Sequence, residues 1–185
     1  MTVAGKESPL GFALLGLLMQ GPQSGYDLRK VFVSTPMGIF SDSPGAIYPA
    51  LRRLEQRGFI TSGPASRAGR RRRAFTPTAE GRTAFTKWVT HVPTRDDVAR
   101  EWDVVMLRLA LSTGILKQAG LTALLARIDE ELKGLLADLE AYRDGPGAHM
   151  PLPAQLAFDS GLAAVRARTR WVREARQRLT ERRTR

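Results

Sequence analysis

Gly45-Ala46-Ile47-Tyr48-Pro49-Ala50-Leu51-Arg52-Arg53-Leu54-Glu55-Gln56-Arg57-Gly58-Phe59-Ile60 is the stretch whose pattern decides the fold. Ser43-Pro44 before it is a capping residue followed by a proline suited to a first helical turn, and Gly58 is a stop, so a helix is predicted between them. At about 100° per residue, Leu51 and Leu54 lie within roughly 40° of Ile47, whereas Gly45, Pro49, Arg52 and Gln56 lie roughly 140° to 200° away. One face is therefore apolar and the other is free. Arg53 and Tyr48 flank the free face on its two sides. Arginine is shaped for bidentate contact with guanine or phosphate, a tyrosine hydroxyl can donate to phosphate, and Gly45 lets a backbone come close. Pro49 argues the other way, because a proline in the second turn removes a donor and costs about 3 kcal/mol.

Outward from this helix, Ser8-Pro9 opens a first helix filled by Leu10, Leu14, Leu15, Leu17 and Leu18, which stops at Gly21-Pro22. Ser24-Gly25-Tyr26-Asp27 has capping-box spacing and begins a short second helix carrying Leu28, Val31 and Phe32. Downstream, Phe59–Ser62 and Arg72–Thr76 are strand-compatible segments around a Gly, Ser and Arg-rich stretch, which predicts a two-stranded hairpin with a basic tip. Thr78 caps a further helix with Phe85, Trp88 and Val89 on one face. Three helices followed by a basic hairpin is the order of a winged helix-turn-helix.

Charge agrees with that order. The chain of 185 residues carries a net charge of +11, and residues 1–90 hold 13 basic and 5 acidic side chains. Two zones concentrate the excess: Arg52 to Arg82, with the run Arg70-Arg71-Arg72-Arg73, and Arg166 to Arg185, with nine Arg and two Glu. Clustered arginine marks a surface for polyanions, since each neutralised phosphate releases condensed counterions. With no cysteine, disulfides and thiolate chemistry are excluded, and His91 and His149 are the only histidines. No phosphate-binding glycine loop, metal-ligand spacing or nucleophile elbow is present, so an enzyme is not expected and neither is a cofactor. The longest apolar stretch, Ala13 to Met19 around Gly16, is far short of the roughly 20 residues of a membrane span. Gln20-Gly21-Pro22 offers no cleavage site for export. A cytoplasmic protein is expected.

Pro93 and Asp96-Asp97 mark a boundary that divides the chain into residues 1–92 and 93–185. In the second part Leu121, Leu125, Ile128, Leu132, Leu135, Leu139 and Tyr142 step by alternating four and three, as do Phe158, Leu162, Val165, Thr169, Val172, Arg176 and Leu179 beyond Gly145-Pro146-Gly147. These are heptad seams on two long helices joined by a turn. A narrow seam covers less surface than a core helix normally buries, which favours an antiparallel pair that packs against another chain as well as against itself, the alternative being an intramolecular hairpin alone. The expected dimer contacts are Leu121, Leu125, Ile128, Leu132, Leu135, Leu139, Phe158, Leu162, Val165 and Val172.

The stretch Gly45–Ile60, including its Tyr48-Pro49 pair, resembles the recognition-helix segment of the PadR family of bacterial transcriptional regulators. Leu14-Leu15-Gly16-Leu17-Leu18 with Gly21-Pro22, and Ser24-Gly25-Tyr26-Asp27-Leu28, resemble the family's first two helices; Phe75 through Thr78-Ala79-Glu80-Gly81-Arg82 resembles its wing exit. The resemblance spans about residues 8–90 and sets aside the objection that Pro49 raises. Pro77 stands where the family usually has an aliphatic residue, and the four-arginine run is denser than usual. What the resemblance implies is a mainly α protein, a winged helix plus a helical C-terminal region, acting as a dimeric repressor on a palindromic operator in double-stranded DNA.

The candidate DNA contacts are Ser24, Tyr26, Ser43, Gly45, Ala46, Tyr48, Pro49, Arg52, Arg53, Gln56 and Arg70, Arg71, Arg72 and Arg73. Relatives often respond to a small aromatic or cationic effector, for which Phe12, Leu15, Trp102 and Met106 are candidates by their flat and adaptable side chains. A different class of function is a sequence-tolerant nucleic-acid scaffold using the Arg-rich segments. Replacing Arg71 and Arg72 with alanine is expected to weaken binding to all duplex sequences alike and to flatten its salt dependence, as read by titration at several ionic strengths.

Overall fold

A helix with no wet face organises the N-terminal half. In the computed structural model, which describes residues 7–41, 43–64 and 73–181, α1 (Pro9–Leu18) is buried from Gly11 to Leu18. Its N-terminus is capped by Ser8, whose Oγ accepts from the Gly11 amide at 3.1 Å. The chain divides into two compact units, Met1–Thr90 and His91–Arg185.

In the first unit α1 is followed by β1 (Gln23–Ser24), α2 (Gly25–Ser34), a 3-10 turn at Pro36–Ile39, α3 (Pro44–Gln56), β2 (Ile60–Pro64), β3 (Arg73–Pro77) and α4 (Ala79–Val89). The sheet has the antiparallel order β1-β3-β2, with Ser62 opposite Phe75 and Gln23 opposite Phe75 on the other edge. The expected hairpin is thus one strand wider. Two residues of β1 are too few to display an alternating pattern, so nothing in the composition of Gln23-Ser24 announced a strand. Leu14, Leu15 and Leu18 of α1 share a core with Leu28 and Phe32 of α2, Ile47, Leu51 and Leu54 of α3, Ile60, Phe85 and Val89, all essentially inaccessible. Each such side chain contributes about 1.5–3 kcal/mol relative to exposure.

That burial outweighs the cost of Pro49, and α3 runs unbroken through it. The carbonyl deprived of its donor is that of Gly45, an exposed residue. A second close fit sits at the wing exit. A Cβ built on Gly81 would lie 2.0 Å from the carbonyl oxygen of Phe59, so α4 packs on the β2 entry only because position 81 has no side chain.

The second unit holds α5 (Arg95–Arg100), α6 (Trp102–Ala110), α7 (Gln118–Asp144), a 3-10 turn at Pro146–His149 and α8 (Leu152–Glu181). Thr94 and Asp97 form a reciprocal capping box at the start of α5. Burial pushes the Asp97 carboxyl up, but hydrogen bonds from the Thr94 amide and hydroxyl, His91 and the Arg108 charge outweigh it and hold the group below its ordinary range.

Glu140 meets Arg166, Asp129 meets Arg176, and Gln118 meets the Leu179 carbonyl, so α7 and α8 form an antiparallel pair. Within the chain, the two heptad seams pack on each other. Leu125, Ile128, Leu132, Leu162, Val165 and Val172 are buried, while Leu121, Leu135, Leu139 and Phe158 are partly so. Val98 of α5 and Val105 of α6 complete the same cluster. The Gly145-Pro146-Gly147 turn brings the two seams together, and the short helices α5 and α6 cover the surface that a narrow seam leaves open.

Gly81→Ala is expected to destabilise the protein by about 1–3 kcal/mol through overpacking. Gly63→Ala, where a Cβ meets nothing within 4 Å, is the control that leaves the melting temperature nearly unchanged.

Candidate nucleic-acid interface

The face of α3 turned from the core carries the cations. Ile47, Ala50, Leu51 and Leu54 are buried, whereas Gly45, Tyr48, Arg52, Arg53 and Gln56 are exposed and Ala46 and Pro49 half-buried. Ser43 caps the helix by accepting from the Gly45 amide at 3.1 Å. Among the described residues, Arg52, Arg53 and Gln56 make no side-chain hydrogen bond or ion pair, so their donors are unengaged. Ala50 is the core position that periodicity alone did not single out.

The start of α2 lies against this face. A Cβ on Gly25 would come within 2.7 Å of the Tyr48 ring, so the tyrosine lies across the bare backbone of the α2 N-terminus. A concave surface of about 440 Å³ results, lined among others by Tyr26, Tyr48, Arg52, Arg73 and Phe75. It gathers candidate contacts from three separate parts of the sequence. Ser24 belongs to the same lining but is buried, and its hydroxyl donates to Asp27 Oδ2 at 2.6 Å while accepting from the Asp27 amide at 3.2 Å. Its structural duty is the α2 cap.

Arg73 also differs from its expected part as a free cation. Its Nη2 donates to Glu55 Oε1 at 2.8 Å and its Nε to Ser62 Oγ at 2.5 Å, and the guanidinium lies 5.9 Å from the Phe75 ring centroid. Glu55 and Ser62 were not anticipated, because neither residue has a local signal and the Glu55–Arg73 partnership spans 18 positions. Arg70, Arg71 and Arg72 lie outside the described residues.

The four effector candidates have these surroundings. Phe12 stacks on Trp88 with ring centroids 4.7 Å apart, and Leu15 is fully buried. Trp102 meets Trp171 edge-on at 5.8 Å and carries the Arg168 guanidinium 4.9 Å from its ring centroid. Met106 packs on the apolar cluster of the second unit.

An apolar-backed helix presenting unengaged guanidinium groups beside two tyrosines can make bidentate contacts in a groove and hydroxyl contacts to a phosphate backbone. Residues 14–87 match the sequence model of the transcriptional regulator PadR-like family. Over 95 residues the chain is 32% identical to the negative transcriptional regulator PadR of Bacillus subtilis (strain 168), covering 50% of this chain and 52% of that protein. The chain thus spans about half the length of the curated relative it matches. The crystal structure of Bacillus subtilis PadR in complex with operator DNA aligns over 93% of this chain and 99% of that one, at 24% identity and a TM-score of 0.42. The same protein in complex with p-coumaric acid aligns over 94% and 99%, also at 24% identity and a TM-score of 0.42.

Arg52→Ala is expected to lower the preference for a selected duplex over random duplex by about 1–3 kcal/mol, read by competition binding, if its fork engages a base. An equal loss on both duplexes would make Arg52 a phosphate contact.

Proposed function

We propose that this chain, whose residues 14–87 match the transcriptional regulator PadR-like family, is a homodimeric repressor that occupies a palindromic operator. The observation that carries this reading is the exposed face of α3, whose unengaged Arg52, Arg53 and Gln56 stand opposite a fully buried one. In this mechanism α3 enters the major groove, the wing follows the backbone, and occupancy of the site blocks transcription. The negative action named for the Bacillus subtilis relative supports the sign.

The dimer contact is assigned to a face of α8 that its own chain leaves open. Leu152 is 65% exposed and Leu156 61%. With the exposed Ala163 and Ala167 they fall within an arc of about 60° on the first half of α8, roughly opposite the buried Leu162, Val165, Thr169 and Val172. An apolar stripe on each side of one helix fits one partner within the chain and a second copy outside it.

Release by a small ligand belongs to the same reading. In the second unit a groove of about 270 Å³ is lined by Leu109, Leu121, Leu125, Trp171 and Leu179, with Arg178 the charged side chain among its lining residues. Such a surface suits an apolar molecule bearing one anionic group.

Selection of bound fragments from random duplex DNA is expected to return an inverted repeat, with the mass of the free protein that of two chains. Recovery of no preferred sequence would favour the sequence-tolerant scaffold. Leu152→Lys with Leu156→Lys is expected to give a folded monomer whose operator affinity falls by about 100-fold, since paired half-sites outdo one. Sedimentation and titration together check it.

A further inference from the structure

We infer that Glu55 is the positioning residue that sets the wing against the recognition helix, holding Arg73 as its strut. This rests on the reading that the surface around α3 faces DNA. Glu55 is an acid on α3, in the lining of the same concavity as Arg52 and Tyr48, where its charge works against a phosphate backbone. An acid in that place costs affinity unless its carboxylate does something else.

What it does is collect both wing strands at one oxygen. Oε1 accepts from Ser62 Oγ of β2 at 2.6 Å and from Arg73 Nη2 of β3 at 2.8 Å, and Arg73 Nε closes the triangle on Ser62 Oγ at 2.5 Å. The strand ladder fixes β2 and β3 to each other, with Pro64 opposite Arg73. It does not fix the pitch of the pair over α3 at that level; the three side chains do. Arg73 directly follows Arg70-Arg71-Arg72 in the chain, so the residue being held is the one from which the arginine run departs. The side chains of Arg73 and Glu55 are 64% and 28% exposed, and an ion pair so open to water adds little to fold stability. Its value lies in geometry.

The test uses the full chain and two fluorescent duplexes, one recovered by selection on this protein and one of random sequence, titrated at several salt concentrations. Glu55→Ala is expected to weaken binding to the selected duplex about tenfold, even though it deletes a repulsive charge. Glu55→Gln keeps an acceptor oxygen for Ser62 and Arg73 and is expected to stay within about twofold of the parent or to bind more tightly. Arg73→Ala should cost as much as Glu55→Ala, and the double variant no more than either, which is the signature of one shared device. Ser62→Ala, a milder change, should lose affinity in the same direction, and serves if Glu55→Ala lowers the melting temperature.

Equal tightening by Glu55→Ala and Glu55→Gln would overturn the inference and leave Glu55 a bystander charge. Tightening by Glu55→Ala with weakening by Arg73→Ala would overturn it in favour of Arg73 as a direct phosphate ligand. Failure of the parent chain to hold any duplex would instead sink the DNA reading on which the inference rests.

Discussion

Ile47, Ala50, Leu51 and Leu54 must leave water together, and that requirement places every other side chain of α3. Once these four seat against α1 and α2, helical geometry sends Gly45, Arg52 and Gln56 outward. No interaction with a ligand is needed to aim them. The core around α1 therefore has a mechanical role beyond stability: it converts apolar burial into the orientation of guanidinium groups. Gly81 serves the same end at the wing exit by letting α4 approach the Phe59 carbonyl.

The second unit uses a comparable economy with different parts. Its long helices α7 and α8 close on each other, and α5 and α6 cover what they leave open. A buried carboxylate at Asp129 takes Lys133 at 2.8 Å and Arg176 from the facing helix, which fixes the register of the pair where apolar contacts alone would tolerate slippage. Thr169 meets the cost of its buried hydroxyl locally, donating to the Val165 carbonyl at 2.9 Å.

Much of the first unit was legible because its signals are local. Caps at Ser8, Ser24, Ser43 and Thr78 each sit where a side-chain oxygen accepts a backbone amide, and the Ile47-Leu51-Leu54 stripe is a matter of spacing. What was not legible depends on partners distant in sequence. A four-three alternation states that a helix has a seam, not whose helix fills it, and here the answer came from the turn at 145–147. Ser24 was legible as the α2 cap from its spacing to Asp27, but that the cap also buries the hydroxyl is a property of the folded turn. Glu55 carried no signal because its meaning is conferred by Ser62 and Arg73 across the sheet.

Pro49 has a mechanical corollary. By deleting one rung from the hydrogen-bond ladder it ties the opening turn of α3 to the remainder by fewer bonds than an ordinary helix would have. Ile47 and Ala50 nevertheless seat that turn in the core as firmly as Leu51 and Leu54 seat the rest, so the missing rung falls at the exposed Gly45 and costs the helix none of its packing.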